Sequence, residues 1–360
     1  MSLVQFQFEG LRNLESDTIH PCDSLNLVVG PNASGKSSLL EGIYLLGRGR
    51  SFRAHQATRM IQNGALALTV SGKIKEDDGE VRHLGVRLSR GRREIRVDGH
   101  KMPSSAMLMK AFPLLVIQPS GIVLLEGAPK MRRHFLDFGA FHLEPGFLDV
   151  WKRYMRALQQ RNALLRAGRL RELEPWNQEM ATYGIILDQA RRDYIGRIEP
   201  YFQEVASRFF GVEKLLIRFD PGWDVNRSLS QALEMQVVSD HRSGYTQQGP
   251  HRGDFSVLIE QRPVRGYLSR GQMKILVYAL LLAQSRLMED RVGAAGCVLI
   301  DDVASELDGP NRAALLELLE GRSTQFFLTA TEFESSLVRV AAKARIFEIS
   351  KGRLTQTDQR

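Results

Sequence analysis

The sequence has few features of a secreted or membrane-inserted protein. Its 360 residues include only two cysteines, Cys22 and Cys297, too few for a disulfide framework. Residues 1–6 contain no basic segment followed by an apolar core, as a secretion signal would require. The longest apolar run, at residues 276–283, is much shorter than the roughly 20 residues of a membrane span. We therefore expect a cytoplasmic protein without a membrane partner.

Internal repeats and low-complexity tracts are also absent from the sequence. Hydrophobic residues make up 43% of the chain, which is enough for one large core or two moderate ones. The formal net charge is +8, which favours an anionic partner such as nucleic acid or an acidic membrane surface. Charge alone does not choose between these partners.

The most informative segment is a phosphate loop near the amino terminus. An apolar run at 25–29 predicts a strand before the loop, and apolar residues at 39–46 predict a helix after it. In such a loop, backbone N–H groups and the helix end bind phosphate, a lysine reaches the terminal phosphates and a serine ligates Mg²⁺. The pattern G-x-x-x-x-G-K-S is complete here, in Gly30, Pro31, Asn32, Ala33, Ser34, Gly35, Lys36 and Ser37. We therefore predict that these residues bind a nucleoside triphosphate.

A second apolar run, at 297–300, predicts a buried strand that ends in two carboxylates, Asp301 and Asp302. A strand followed by a helix cap would also explain this pattern. Opposite a phosphate loop, however, Asp301 is expected to reach Mg²⁺ through water, and Asp302 to orient or deprotonate the attacking water as the catalytic residue. The segment Ser305-Glu306-Leu307-Asp308 follows directly, and Leu268-Ser269-Arg270-Gly271-Gln272 precedes the strand. The order of these segments favours the nucleotide-site interpretation.

The segment at 268–272 closely resembles the L-S-G-G-Q signature of the ABC ATPase superfamily. We predict that Ser269 caps the following helix and that this helix end, with Gly271 and Gln272, binds a phosphate. The resemblance implies that the end meets the terminal phosphate of ATP bound by a second subunit. ATP is therefore expected to drive formation of a homodimer.

Two positions depart from the ABC pattern. Asp302 replaces the usual catalytic glutamate, and Thr329 stands at the position expected for the switch histidine after the strand at 326–328. We therefore expect slow hydrolysis. Gln118, at the end of a predicted strand at 114–117, is the candidate for the glutamine of the Q-loop. Arg50 and Arg53 are candidates for a positive charge near the terminal phosphate.

Beyond these motifs, the chain resembles the RecF family of recombination-mediator ATPases, relatives of the heads of SMC proteins. SMC proteins insert a long coiled coil between their halves, whereas here the insert is one short helical lobe without a Cys-x-x-Cys hook. The resemblance covers essentially the whole chain. It rests on four segments, at residues 51–53, 127–137, 249–254 and 269–274.

Membership of this family would imply a function in DNA replication and recombinational repair. Such proteins are expected to bind duplex DNA next to a single-stranded gap, to act with RecR and RecO in loading RecA, and to support the SOS response. The resemblance implies a weak, DNA-stimulated ATPase that serves as a switch, with ATP and Mg²⁺ as its ligands.

Basic residues supply candidate contacts to DNA. Each cluster alone is typical of a solvated surface, but several together in such a chain favour contact with the phosphate backbone. We expect binding that is salt-sensitive and selective for DNA structure, not for base sequence. The clusters are Arg90, Arg92, Arg93 and Arg96; Lys130, Arg132 and Arg133; Arg153, Arg156 and Arg161; and Arg191 and Arg192.

We predict an α/β fold with an ATPase lobe of the ABC and SMC-head type, a mixed parallel and antiparallel sheet, and a smaller helical lobe. The ATPase lobe is assigned to residues 1–126 and 249–360, and the helical lobe to 127–248. Helices are expected between 127 and 210, with a break between Gly168 and Pro175.

Two other functions fit parts of the sequence. A nucleotide-binding subunit of an ABC transporter would share the phosphate loop and signature, but would normally carry Glu at 302 and His near 329. A DNA-binding protein with a vestigial ATPase would bind DNA equally well without ATP.

Overall fold

The computed structural model describes residues 1–210, 215–292, 296–303, 307–331 and 344–357. Contacts between Cα atoms divide the chain into two compact units. One unit comprises Met1–Gly121 and Lys274–Arg360, and the other comprises Ile122–Met273. An α/β unit is thus formed from the two ends of the chain, and the intervening segment forms the other unit.

The first unit contains an antiparallel sheet. Along β4 and β5, buried residues alternate with more exposed ones, as expected for strands with one face on a core. The strand order is β2-β1-β4-β5-β6-β7, and the antiparallel pairing agrees with the antiparallel part of the predicted mixed sheet. The strands are β1 (Ser2–Glu9), β2 (Asp17–Ile19), β4 (Ala67–Lys75), β5 (Val81–Ser89), β6 (Arg92–Val97) and β7 (His100–Lys101).

A second sheet in this unit is mostly parallel. It comprises β3 (Leu25–Val29), β8 (Leu114–Ile117), β12 (Cys297–Ile300), β13 (Gln325–Ala330), β14 (Arg345–Ser350) and β15 (Arg353–Thr357). Their order is β15-β14-β3-β13-β12-β8, and only β15 runs antiparallel to its neighbour. Strands β12 and β13 are buried along their whole length, as is usual for parallel sheets covered on both faces. Since β13 separates β3 from β12, its carboxyl end lies between the phosphate loop and the two aspartates.

Helix α1 (Lys36–Arg48) shares one hydrophobic core with both sheets. Its Gly42 permits close packing, since a Cβ atom there would lie 2.6 Å from Leu11 Cδ2 and 3.1 Å from the ring of Phe6. The other described helices of this unit are α2 (Ala106–Ala111) and α10 (Gly309–Leu319), together with most of α9 (Arg270–Val292). The core therefore fixes the helix that follows the phosphate loop.

The second unit is mainly helical, as predicted. Its helices are α3 (Val123–Glu126), α4 (Pro129–Leu143), α5 (Phe147–Arg166), α6 (Glu174–Phe210), α7 (Leu229–Met235) and α8 (Val237–Ser243). The predicted break falls between α5 and α6. No helix within the described parts of the chain is long and apolar enough to cross a membrane.

The second unit also contains a small sheet, so its boundaries differ from those of the predicted helical lobe. Its strands are β9 (Leu215–Asp220), β10 (Asp254–Ile259) and β11 (Arg262–Pro263), in the order β11-β10-β9. Strand β10 pairs with β9 along its whole length, and Arg132 of α4 donates two hydrogen bonds to Asp254, at 2.7 and 2.9 Å. These contacts join residues 249–273 to the helical unit, whereas the sequence-based division assigned them to the ATPase lobe.

A fully buried ion pair joins helices of the second unit. Arg161 of α5 donates to Asp240 at 2.7 Å, to Thr246 Oγ1 at 2.8 Å and to Asn177 Oδ1 at 2.7 Å, and it also reaches the Leu233 carbonyl. Both charged side chains are fully buried. Because removing one partner of such a pair typically costs about 3–5 kcal/mol, Arg161 has a structural role in this unit.

His251 is held nearby by two hydrogen bonds. Its Nε2 donates to the Thr246 carbonyl at 3.0 Å, so Nδ1 is the acceptor for the Tyr154 hydroxyl at 2.7 Å. Burial, with a smaller effect from neighbouring arginines, lowers the pKa of His251 to about 4, although the bond to Thr246 acts in the opposite direction. Burial also raises the pKa of the Tyr154 hydroxyl, which keeps it protonated as the donor.

This pKa predicts an acid-sensitive unit. The folded state holds His251 neutral while the unfolded chain takes up a proton near pH 6.5, so the contribution is present above that pH and is lost progressively towards pH 4. We expect a loss of about 2 kcal/mol at pH 5 relative to pH 7.5 from this residue. Urea unfolding of the parent and of His251→Gln at both pH values measures it. An equal pH dependence in both proteins would contradict the assignment.

Candidate nucleotide site

The phosphate loop adopts a conformation that requires its glycines. The φ angles of Gly30 and Gly35 are 152° and 126°, in a region that favours glycine. A Cβ atom would lie 2.1 Å from the Ile349 carbonyl oxygen at the first position and 2.4 Å from Leu14 Cδ2 at the second. Directly after Gly35, α1 begins without a side-chain cap and without an acidic residue in its first turn. Its amino end is therefore available to an anion.

Polar groups of the loop also fit a phosphate ligand. The Ser34 hydroxyl is buried and has no hydrogen-bond partner within the described ranges, which an anion in the loop would supply. Asn13 supports the loop from outside, because its Nδ2 donates to the carbonyls of Ala33 and Ser34, at 3.3 and 3.2 Å. Its Oδ1 accepts a bond from Ser38 at 3.1 Å. The loop is thus held in shape before a ligand binds.

Lys36 lies inside the loop. Its ammonium group donates to the carbonyls of Gly30 and Pro31, at 2.6 and 3.0 Å. Burial lowers its pKa, while Asp302 and Asp301 act in the opposite direction. Additional negative charge from a bound phosphate would stabilise the charged form of this buried lysine.

Ser37 and Asp301, which were both predicted to hold Mg²⁺, are in direct contact. The Ser37 hydroxyl donates to Asp301 Oδ1 at 3.0 Å, and Asp301 itself is buried. A hydroxyl and a carboxylate suit Mg²⁺, which usually takes only one or two protein ligands and completes its shell with water and phosphate oxygens. The pair therefore fits a metal that arrives with a nucleotide.

Thr329 corrects one expectation. We predicted that it follows its strand, at the position of a switch histidine; instead it lies inside β13 and is fully buried. Its hydroxyl donates to Asp301 Oδ1 at 2.8 Å and accepts the backbone N–H of Asp302 at 2.7 Å. Asp302 has a φ of 60°, which is uncommon for a residue other than glycine. Thr329 thus positions both aspartates.

Replacing Thr329 with valine tests this positioning. The variant keeps the shape of the side chain but leaves the partly buried N–H of Asp302 without its acceptor. We expect ATP turnover to fall by about 10–100-fold, the usual effect of losing a group that orients a metal ligand. Thr324→Val is the matched control, since that buried hydroxyl lies just before β13, at the opposite end of the strand, and bonds to Glu289. Equal turnover in the two variants would remove Thr329 from the mechanism.

A cavity of about 610 Å³ opens at the ends of the strands. It includes Asp302 and Arg53, as expected, and also Arg12, which sequence reasoning missed; Arg50 is not among its lining residues. Arg12 forms two hydrogen bonds, of 2.5 and 2.9 Å, with buried Glu41 of α1. The lining residues are Arg12, Asn13, Asn32, Ala33, Gly35, Lys36, Ser37, Ser38, Arg53, Asp301, Asp302 and Thr329.

Gln118 lies at the end of β8, beside the strand that carries Asp301. The backbone N–H of Asp301 donates to the Ile117 carbonyl at 2.9 Å, and the backbone N–H of Gly121 donates to the Gln118 carbonyl at 2.7 Å. The side chain of Gln118 does not line the cavity. Its predicted contact with the nucleotide therefore stays a prediction.

Ser269 caps α9, which confirms that part of the signature prediction. The N–H of Gln272 donates to Ser269 Oγ at 3.3 Å, and the Ser269 N–H donates to Gln272 Oε1 at 2.9 Å, forming a capping box. Ser269, Gly271 and Gln272 are exposed to solvent.

Of the segment after the aspartates, Ser305 and Glu306 lie outside the described residues. Asp308 caps α10 through a 3.0 Å bond from the N–H of Asn311.

Three of the arginines that were predicted to contact DNA are buried in the structure. Arg132, Arg161 and Arg191 are buried, and each is ion-paired within the second unit. A side chain that is buried and paired cannot contact DNA, so the prediction is wrong for these three. The exposed members are Arg90, Arg92, Arg93, Arg96, Lys130, Arg153, Arg156 and Arg192, and Arg133 is partly exposed.

The two sheets, the phosphate loop and the opposing aspartates define an α/β phosphate-loop ATPase fold of the ABC and SMC-head type. An SMC head bound to a winged-helix domain of ScpA has the same fold, with a TM-score of 0.63 at 13% identity over 100% of this chain and 98% of that one. Residues 2–354 match the model of the RecF/RecN/SMC N-terminal domain.

The chain belongs to the RecF family. It is 40% identical to the DNA replication and repair protein RecF of Azotobacter vinelandii, over 100% of both chains. It is 39% identical to RecF of Pseudomonas fluorescens, over 99% of both. A solved structure described as the recombination mediator protein RecF-ATP in the RecFOR pathway superposes with a TM-score of 0.87, at 27% identity, over 99% of this chain and 98% of that one.

Proposed function

We propose that this chain is an ATP-dependent DNA-binding protein of replication and recombinational repair. In this proposal, ATP joins two copies into a clamp on DNA at single-strand gaps, and slow hydrolysis releases the clamp. The observation that carries the proposal is the convergence of partly buried Ser37 with buried Asp301 and Thr329 beside an uncapped helix end in one cavity. Such a site suits a magnesium nucleotide.

The residues have distinct roles in this proposal. Lys36 and the loop N–H groups hold the terminal phosphates, while Ser37 and Asp301 hold Mg²⁺. Mg²⁺ supplies charge neutralisation at the phosphates. Asp302 orients the attacking water and accepts its proton, and Arg12 and Arg53 add positive charge from the cavity wall.

The proposal of a dimer rests on a second exposed helix end, the amino end of α9. Ser269, Gly271 and Gln272 lie at the exposed amino end of α9, whose dipole and N–H groups favour an anion. In the ABC resemblance, this end completes the nucleotide site of another copy. ATP bound to one chain would then hold both chains together, and cleavage of the terminal phosphate would remove that link.

The exposed basic residues are proposed to contact the DNA backbone. The solved relative is described as part of the RecFOR pathway, and we infer from it that RecR and RecO are partners in loading RecA. A role in the SOS response follows from the same proposal. The cytoplasmic location stays a prediction. Family membership favours DNA repair over a transporter subunit, for which we expected Glu at 302 and His near 329.

Binding to a gapped duplex tests this function. Affinity is measured by fluorescence anisotropy with an uncleavable ATP analogue, with ADP and without nucleotide, between 50 and 200 mM salt. We expect tight binding only with the analogue, and a fall of about tenfold or more across the salt range. Equal binding in all nucleotide states would favour a vestigial ATPase. Salt-independent affinity would contradict the assignment of the basic surface.

A further inference from the structure

The loop at residues 249–254 in the second unit is held in place on several sides. Arg191 donates to the Pro250 carbonyl at 2.6 Å, and Arg133 donates to the Gly253 carbonyl at 3.0 Å. The N–H of Gly249 donates to the Gly222 carbonyl at 3.0 Å. Together with the ion pair at Asp254 and the bonds of His251, these contacts fix the whole loop. A loop held this firmly that still exposes one side chain, Arg252, is characteristic of a functional site on a rigid support.

Positive charge at this loop is only partly balanced. Arg132 pairs with Asp254 and Arg191 pairs with Asp137. Arg133 and Arg252, by contrast, form no ion pair with a carboxylate in the portions of the chain that the structure describes. Burial and the nearby charges of Arg191 and Arg252 lower the pKa of Arg133 against the attraction of the two aspartates. An anion placed here would relieve this repulsion.

An aromatic ring accompanies this charge. The exposed guanidinium of Arg252 lies over the ring of Tyr245, 5.7 Å from its centroid. Tyr245 itself is 45% exposed. Exposed aromatic rings beside arginines are typical of surfaces that bind single-stranded nucleic acid, because bases stack on the ring while the cation meets phosphates.

We propose that Arg133, Arg252 and Tyr245 form a contact site for the unpaired strand of a DNA gap. The two guanidinium groups contact backbone phosphates, and the Tyr245 ring stacks against an unpaired base. This inference rests on the proposed DNA-binding function, and it assigns the protein's preference for gapped DNA to particular residues. The same charge without the ring would favour any duplex equally, because phosphates carry no information about pairing.

The test compares variants of the full chain with the uncleavable ATP analogue on three ligands: blunt duplex, gapped duplex and single strand. Arg252→Gln should weaken binding to gapped duplex and single strand about tenfold and reduce the slope of log affinity against log salt by about 1. Tyr245→Ala should weaken both about tenfold and leave affinity for blunt duplex unchanged. Tyr245→Phe keeps the ring and should match the parent.

Arg262→Gln is the matched control. It removes the same charge from an exposed arginine of the second unit that is outside the basic clusters assigned to DNA, and whose guanidinium lies 5.9 Å from the centroid of the Tyr267 ring. If Arg252→Gln and Tyr245→Ala behaved like this control, the inference alone would fail. Equal losses on blunt duplex in Tyr245→Ala would also overturn it.

Two further outcomes separate this inference from the function on which it rests. A parent protein that binds none of the three ligands would overturn both. Loss of ATP-dependent dimerisation in Arg252→Gln without DNA would overturn only the inference, because it would place the arginine against the nucleotide of the second copy.

Discussion

Replacing Lys36 with alanine should abolish nucleotide binding, with a loss of affinity of about 100-fold or more. Lys36 supplies the buried positive charge of the loop and already donates two hydrogen bonds within it. Hydrogen bonds to charged groups contribute about 1.5–3 kcal/mol each. Loss of two such bonds from the Lys36 ammonium to phosphate oxygens of the bound nucleotide accounts for the expected effect. Titration with a fluorescent ATP analogue and with ATP in a calorimeter measures the affinity.

Lys152→Ala is the control for this substitution, because Lys152 is an exposed residue of α5 with only a distant ion pair to Asp149. It should bind ATP like the parent. The Lys36 variant should also fail to dimerise and to bind gapped DNA in the presence of ATP. Affinity within a few-fold of the parent in Lys36→Ala would show that the loop does not hold the phosphates.

Asp302→Asn should bind ATP normally but hydrolyse it at least about 100-fold more slowly, in line with the loss of a general base. Asparagine tolerates the positive φ angle at this position, so the backbone bond to Thr329 is retained. The clamp should therefore close and stay closed. Single-turnover hydrolysis and the lifetime of the complex on gapped DNA measure these two effects.

Asp149→Asn serves as the control for charge, since the Asp149 side chain is 80% exposed. Its turnover should equal that of the parent. If Asp302→Asn also hydrolysed ATP at the parental rate, Asp302 would be excluded as the catalytic group, and another residue of the cavity would have to position the water.

Local sequence patterns were sufficient to predict the phosphate loop and its flanking elements. Strands β3, β8 and β12 have the predicted limits, because each is a short apolar run with clear boundaries. The cap at Ser269 was also predictable, since a capping box depends only on residues three positions apart. These features are set by neighbours in the chain.

Features that depend on distant segments were not predictable in the same way. Thr329 acts on Asp301 because β13 lies between β3 and β12, an order that no local pattern contains. Arg12 enters the cavity because it bonds to Glu41, in the helix after the phosphate loop.

The burial of several arginines could not be predicted from local sequence patterns either. In the sequence, Arg132 and Arg161 resemble their exposed neighbours, because a cluster of charges gives no information about carboxylates far along the chain. Their partners, Asp254 and Asp240, are brought close only by the fold. The boundary of the second unit was missed for the same reason, since β10 is tied to β9 by pairing across a long connection.

The central claim is that two copies of this chain share each bound ATP. Sedimentation velocity of the 40.7 kDa chain, at saturating Mg²⁺ and uncleavable ATP analogue and with and without gapped DNA, tests it most directly. We predict dimers with the analogue, monomers with ADP, and monomers in both states for Ser269→Arg, which blocks the exposed end of α9. Monomers of the parent chain under every condition would contradict the account.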